Sequence, residues 1–225
     1  MQNQVHISID QFKKMDDLAI HEYGLTIELM MDNAGLQLAR LISQYATKQS
    51  NINLGIGTGN NGGGGLVAAR RLSGWGYHVS LDIPDTGLKS LPARQLDRSL
   101  AAGAAVRPIT KPDIFVDAYF GFSQRLPLPD SYRASINKAN QHSVFKISLD
   151  LPSGFNKENG KMLFRPDLIL TLAAPKTELI KFGYGPILQI ADIAIPRELY
   201  DHFGILQPPF QQSGIIKYLS HEKES

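Results

Sequence analysis

Along this chain the spacing of apolar residues changes character near residue 50. Between residues 8 and 47 apolar side chains recur at helical intervals. Leu18, Ile20 and Tyr23 form one set, and Leu29, Met30, Ala34, Leu38, Leu41 and Ile42 a second. Ser8 and Asp10 stand where helix N-caps belong, and Gly24 divides the stretch into two helices. Met15, Met30 and Met31 read as core packing. From residue 52 the pattern becomes short continuous apolar runs: Ile52–Gly57, His78–Asp82, Ile114–Ala118, Val144–Leu149, Leu168–Leu172 and Leu188–Ile190. Helical stretches are predicted between them at Gly65–Gly74, Leu91–Ala102 and Ser131–Asn140. Apolar strands alternating with helices predict a three-layer, doubly wound α/β fold with a mainly parallel sheet and helices on both faces. Right-handed crossovers then put a ligand site at the carboxyl ends of the strands. One domain is expected over residues 1–225. It has a helical segment at about 8–47, a sheet-containing body at about 50–200 and an extended tail from Gln207. The last residues, HEKES, read as frayed.

Composition narrows the class of protein. The 225 residues are 43% hydrophobic and 20% charged, with a net charge of +2. That balance calls for neither nucleic acid nor an anionic membrane as partner. There is no cysteine, which excludes disulfides, thiolate zinc sites and a cysteine nucleophile. The opening MQNQVHISIDQFKKMDD is polar and acidic, unlike a secretory or transit peptide, so a cytoplasmic location is expected.

Three segments carry candidate chemistry. The stretch GIGTGNNGGGGLVAARRL stands at a predicted strand–helix junction. Its loop Gly57–Gly65 is read as a flexible cradle whose glycines reach positive φ and whose amides, with the following helix N-terminus, hold a phosphate. It is not a Walker A motif, and Gly57-x-Gly59-x-x-Gly62 matches a dinucleotide fingerprint by letter only. Asn60 and Asn61 add amide oxygens, or serve turn chemistry alone. Asp117 and Asp150 each follow an apolar run and fall at strand ends beside the glycines. Either would be an acid/base, a ligand for a hard cation, or simply a turn cap. Pro152-Ser153-Gly154 turns after Asp150. No Gly-x-Ser-x-Gly elbow accompanies Ser153, which argues against serine-hydrolase chemistry.

Taken together, these segments resemble the NAD(P)H-hydrate epimerase family, also called the YjeF N-terminal domain. MMDNAG (Met30–Gly35) resembles its Met-Glu-x-Ala-Gly region. GTGNNGGGGLVAARRL resembles its glycine signature, VDAYFGFS (Val116–Ser123) its Asp-Ala-x-Phe-Gly segment, and SLDLPSGF (Ser148–Phe155) its Asp-x-Pro-Ser-Gly turn. RPDLILTLAAPK (Arg165–Lys176) and ADIAIPREL (Ala191–Leu199) resemble its closing strands. The resemblance implies a Rossmann-like fold, a homodimer, and an isomerase that interconverts the R and S forms of hydrated NADH and NADPH. The implied substrate contacts are Asn60, Asn61, Gly62, Gly63, Gly64, Gly121, Phe122, Ser123, Gln124, Arg125, Leu126, Pro127 and Asp150. Asp150 and Asp117 are the implied catalytic acids, and Asn61, Asp117 and Ser153 the implied ligands of a potassium ion.

Three departures from the family pattern stand out. The family signature carries an aspartate where this chain has Gly64, and loss of an acid/base removes roughly a hundred- to ten-thousand-fold of rate. Asp32 replaces a usual glutamate, and TELIKFGYG after Lys176 is short for the family. The alternative reading is therefore a catalytically impaired nucleotide-binding or scaffold domain of the same fold, like the related domain of mRNA decapping-enhancer proteins. An ordinary NAD(P) dehydrogenase, with Asp82 or Asp85 on the ribose, leaves the DAYFGFS and DLPSG segments without a role.

Overall fold

The computed structural model describes residues 5–182 and 187–218. Two helices open the chain, α1 (Ile9–Tyr23) and α2 (Ile27–Tyr45). Ser8 begins α1 with a capping box, its hydroxyl accepting from the Gln11 amide, and Gly24 ends it in the left-handed conformation at φ 64°. Thr26 caps α2 in the same manner as Ser8 caps α1.

The body follows as β1 (Asn51–Ile56), α3 (Asn60–Gly74), β2 (His78–Asp82), α4 (Ser90–Ala101), β3 (Ala105–Val106), β4 (Ile114–Ala118), α5 (Asp130–His142), β5 (Phe145–Leu149), β6 (Leu168–Leu172), α6 (Thr177–Lys181), β7 (Ile187–Ala191), α7 (Arg197–His202) and β8 (Ile215–Lys217). The strands form one sheet in the order β3-β2-β1-β4-β5-β6-β7-β8. All neighbours are parallel except β8, which runs antiparallel to β7. The segment read as an extended tail thus supplies an edge strand, while the terminal HEKES lies outside the described residues. Six strands, β1, β2, β4, β5, β6 and β7, fall within a residue of the predicted runs. The two-residue β3 and the short α6, α7 and β8 carry too few periodic positions to register in the sequence.

Register assigns the two faces. Leu54, Val116 and Ile147 are successive neighbours across β1, β4 and β5. They pack with Leu38, Leu41 and Ile42 of α2 and Leu66 and Leu72 of α3. Phe115 points to the opposite face, against Tyr132, Ile136 and Ala139 of α5. The chain reverses direction across the sheet between β1 and β4. The α/β rule places a ligand crevice at such a switch point.

The glycine segment departs from the loop expected of it. Asn60 to Gly65 already belong to α3, with Gly59 as its N-cap, and none of Gly57, Gly59 or Gly62 to Gly65 has positive φ. Close approach, not backbone freedom, demands Gly57, Gly62 and Gly65, whereas nothing lies within 4 Å of a Cβ on Gly59. A Cβ on Gly62 would lie 1.9 Å from the Gly57 carbonyl oxygen, and one on Gly65 would lie 2.6 Å from the Ala118 Cβ. Gly35 of α2 meets Val67 and the Gly64 carbonyl in the same way. Asp32 explains its own place: it pairs with Arg70 at 2.6 Å and Arg71 at 2.5 Å, tying α2 to α3.

Among the described residues no helix is long and apolar enough to cross a membrane.

Candidate active site

A cavity of about 280 Å³ opens at the carboxyl ends of β1, β4 and β5. Its rim is polar: Thr58 and Gly59 before α3, Asn60 and Asn61 in its first turn, Lys89, Ser123 and Gln124. Its inner wall is apolar, from Phe12, Ile27, Met30, Met31, Leu172 and Ile193. The methionines read as core are buried, and Met30 and Met31 also face this space. Asn60, Asn61, Gly64, Gly121, Phe122, Ser123, Gln124 and Asp150 all line the cavity as expected. Gly62, Gly63, Arg125, Leu126 and Pro127 do not; the two glycines are buried under Gly57 and Met31, and the other three lie exposed beyond the rim.

Asp150 reaches the cavity through an unusual backbone. It follows β5 at φ 68°, a left-handed conformation that aspartate tolerates better than most residues. The residue is 1% exposed. Its Oδ2 accepts from the Phe122 amide at 3.0 Å, and Gly121 makes that approach possible. A Cβ there would lie 2.9 Å from Asp150 Oδ2 and 3.2 Å from Asn61 Oδ1. Asp150 Oδ1 is buried with no hydrogen-bond donor. The nearest cation is Lys176 Nζ at 3.5 Å. Such an acceptor costs free energy unless a ligand supplies the donor.

Asp117 is placed differently. It is completely buried, beneath the cavity and not on its wall. Its carboxylate accepts from the Ser153 amide at 2.7 Å, the Ser153 hydroxyl at 2.5 Å, the Tyr119 amide at 3.3 Å and the Ser148 hydroxyl at 3.3 Å. Burial pushes the carboxyl up to about 6 in spite of these donors. Gln124 staples the same turn to the 121–124 loop. It donates to the Gly121 and Pro152 carbonyls and accepts from the Gly154 amide. Asp117 therefore fixes the Asp150-to-Ser153 turn, a role its position at a strand end did not distinguish from direct catalysis.

The oxygens of Asn61, Asp117 and Ser153 are hard donors suited to a hard cation. Asp117 has no cationic partner among the described residues, so a bound monovalent ion would offset its burial. The donor chemistry fits potassium to that extent.

Three groups were missed from the sequence. Lys176 is 0% exposed at the end of the β6 connection and donates to Thr171 Oγ1 and to the Leu172 and Ala174 carbonyls. A lysine closing an apolar run is a signal of the same kind as Asp117 and Asp150. Asp16 lines the cavity from α1, one turn after Phe12. Lys89 stands at the rim, its amide bonded to the Thr58 carbonyl. The two acids of the dehydrogenase reading do not line the cavity: Asp82 accepts from the Tyr119 hydroxyl at 2.5 Å, and Asp85 from the Gly87 amide.

The profile of the YjeF-related protein N-terminus matches residues 27–178. The chain belongs to this family. Among YjeF-related proteins it is 34% identical to the NAD(P)H-hydrate epimerase of Dehalogenimonas lykanthroporepellens, over 96% of this chain and 94% of that one. The NAD(P)H-hydrate epimerase of Rhodopirellula baltica is 31% identical over 88% of each. The crystal structure of yeast YNL200c superposes with a TM-score of 0.85, covering 95% of this chain and 99% of that one at 21% identity, a likeness of fold. The family's glycine segment is thus the buried start of α3, and its two acidic segments meet it at one end of the sheet.

Proposed function

We propose that this chain is an epimerase interconverting the R and S forms of hydrated NADH and NADPH. The observation that carries the reading is the buried Asp150 carboxylate, whose Oδ1 has no hydrogen bond and only the Lys176 ammonium at 3.5 Å, set between an amide-rich polar rim and an apolar inner wall. The rim suits a diphosphate, which the α3 N-terminus and Lys89 attract. The inner wall suits a nicotinamide ring. The reacting carbon is a carbinolamine, so reversible cleavage of its C–O bond scrambles the centre and requires only proton transfer and exclusion of bulk water. Asp150 accepts a hydrogen bond from the substrate, and Asp117 holds the turn that presents it. Potassium, held by Asn61, Asp117 and Ser153, would supply a fixed positive charge beneath that turn. A homodimer and cytoplasmic placement accompany this reading by analogy with the family.

The direct test mixes purified protein with one pure epimer of hydrated NADH and follows the epimer ratio by chromatography. A rate above the uncatalysed one, higher with potassium, supports the proposal. A rate equal to the uncatalysed one under both conditions sinks it.

Gly64 favours a second reading, a nucleotide-binding domain with little turnover. Gly64 lines the cavity, where an aspartate would add a carboxyl. A Cβ at this position sits 3.2 Å from Leu149 Cδ2, so the side chain fits after a small shift of one leucine methyl. If Gly64→Asp alone brings activity, the second reading holds for the natural chain.

A further inference from the structure

With Gly64 in the glycine segment, two carboxyls line the cavity among the described residues, Asp150 and Asp16. Asp150 is held in place by the Phe122 amide at 3.0 Å and by Lys176 at 3.5 Å. Asp16 has no such fixture. It projects from α1 on the same face as Phe12, four residues earlier. The Phe12 ring lies 3.7 Å from Lys176 Nζ and packs edge-on against Phe122 at 5.3 Å. The main chain before α1 is pinned to the same place: Ile7 bridges Lys176, donating to the Pro175 carbonyl and accepting from the Thr177 amide. Helix α1 is thus clamped over the lysine, and Asp16 is carried to the cavity wall with little freedom to retreat.

Resting on the epimerase reading above, we propose that Asp16 is the acid that protonates the departing ring hydroxyl, while Asp150 stays paired with Lys176.

The charges balance through the step. Asp16 begins protonated, and the Asp150–Lys176 pair keeps the same charge from start to finish. The Asp16 carboxyl gives its proton to the hydroxyl, the C–O bond breaks, and water leaves. The ring nitrogen's lone pair forms a C=N bond, leaving a cationic iminium. The Asp16 carboxylate then faces that cation, so the step makes one charge of each sign and the net charge of the cavity is unchanged. Water re-adds to either face of the planar ring and returns its proton to Asp16. A low-dielectric site favours such an arrangement, because charge created in the substrate is matched by charge left on the wall.

The groups facing Asp16 tune it in the required direction. Burial raises its carboxyl to about 6, helped by the neighbouring Asp17 and by Asp150 across the cavity, and opposed by Lys176. A general acid works best near the operating pH.

The test uses the full chain and its pH–rate profile for epimerisation. Wild-type kcat is expected to fall as pH rises past about 6, where Asp16 loses its proton. Asp16→Asn should lower kcat by about a hundredfold or more, leave KM nearly unchanged and abolish that alkaline limb. Asp16→Glu should recover part of the rate. Asp17→Asn, an exposed change outside the cavity, removes a repelling charge and should move the limb to lower pH with maximal kcat kept. A folded Asp16→Asn protein with wild-type kcat and profile overturns the proposal and leaves the epimerase reading standing. If Asp16→Asn does not fold, an unmoved limb in Asp17→Asn overturns it equally. An inactive wild type removes both proposals together.

Discussion

At the scale of single residues, Asp117 and Asp150 show how the same side chain at equivalent strand ends acquires different work. Asp117 satisfies four donors, two from Ser153 in the neighbouring turn and one each from Ser148 and Tyr119. Asp117→Ala would leave them buried and unpaired, each costing roughly 1–3 kcal/mol. Chemical denaturation should show a loss of at least about 3 kcal/mol, with activity falling through loss of the turn. The sign of its pH effect follows from its raised carboxyl. The folded state binds a proton more tightly than the unfolded chain does. The associated stability is therefore complete at pH values below the ordinary carboxyl range, about 4, and is lost as pH rises through about 6. Two pK units correspond to about 3 kcal/mol as an upper bound. Melting temperature measured across that window should decline in wild type, and less steeply in a folded Asp117→Asn variant. Potassium should flatten the wild-type slope if it sits beside Asp117.

At the scale of elements, α3 separates two uses of glycine within one helix. Gly62 and Gly65 face backbone and sheet atoms closer than a Cβ permits, whereas nothing lies within 4 Å of a Cβ on Gly74. Gly74→Ala should stabilise the protein by about 0.5–1 kcal/mol, the ordinary gain from alanine in a helix. Gly62→Ala should destabilise it by several-fold more than that, because the Gly57 carbonyl must move. Urea unfolding of the two variants distinguishes close packing from loop flexibility: equal effects would contradict the account of α3 given above. The strands and long helices were legible in the sequence because each repeats its period several times. The start of α3 was not, since glycine has low helix propensity and only contacts with α2, β1 and β4 keep four consecutive glycines helical.

At the scale of the whole molecule, the sheet order brings segments more than 150 residues apart to one cavity. Phe12 and Asp16 come from the first helix, Asn60 from the third, Asp150 from the end of β5, and Ile193 from beyond β7. A ligand occupying it crosslinks all of these elements. A nucleotide carrying a diphosphate should raise the melting temperature. At a hundred times its dissociation constant the gain is about 2.7 kcal/mol. Lys89→Ala at the rim should reduce that shift while leaving the unliganded melting temperature unchanged. No shift with any adenine or nicotinamide nucleotide would count against a nucleotide site.

The sequence by itself determined the parallel α/β plan, the two strand-end acids and their association with the glycine segment. These are local facts, carried by apolar periodicity and by motif order. Only the tertiary structure decided that Asp117 braces a turn while Asp150 faces the cavity, that the glycines are packed helix, and that Asp16 lines the same cavity and Lys176 lies against Asp150. The reason is physical: hydrogen-bond saturation, burial and the field of a distant charge depend on which segments meet. That is settled by the register of the sheet and the clamping of α1 across it, and no stretch of sequence contains it alone.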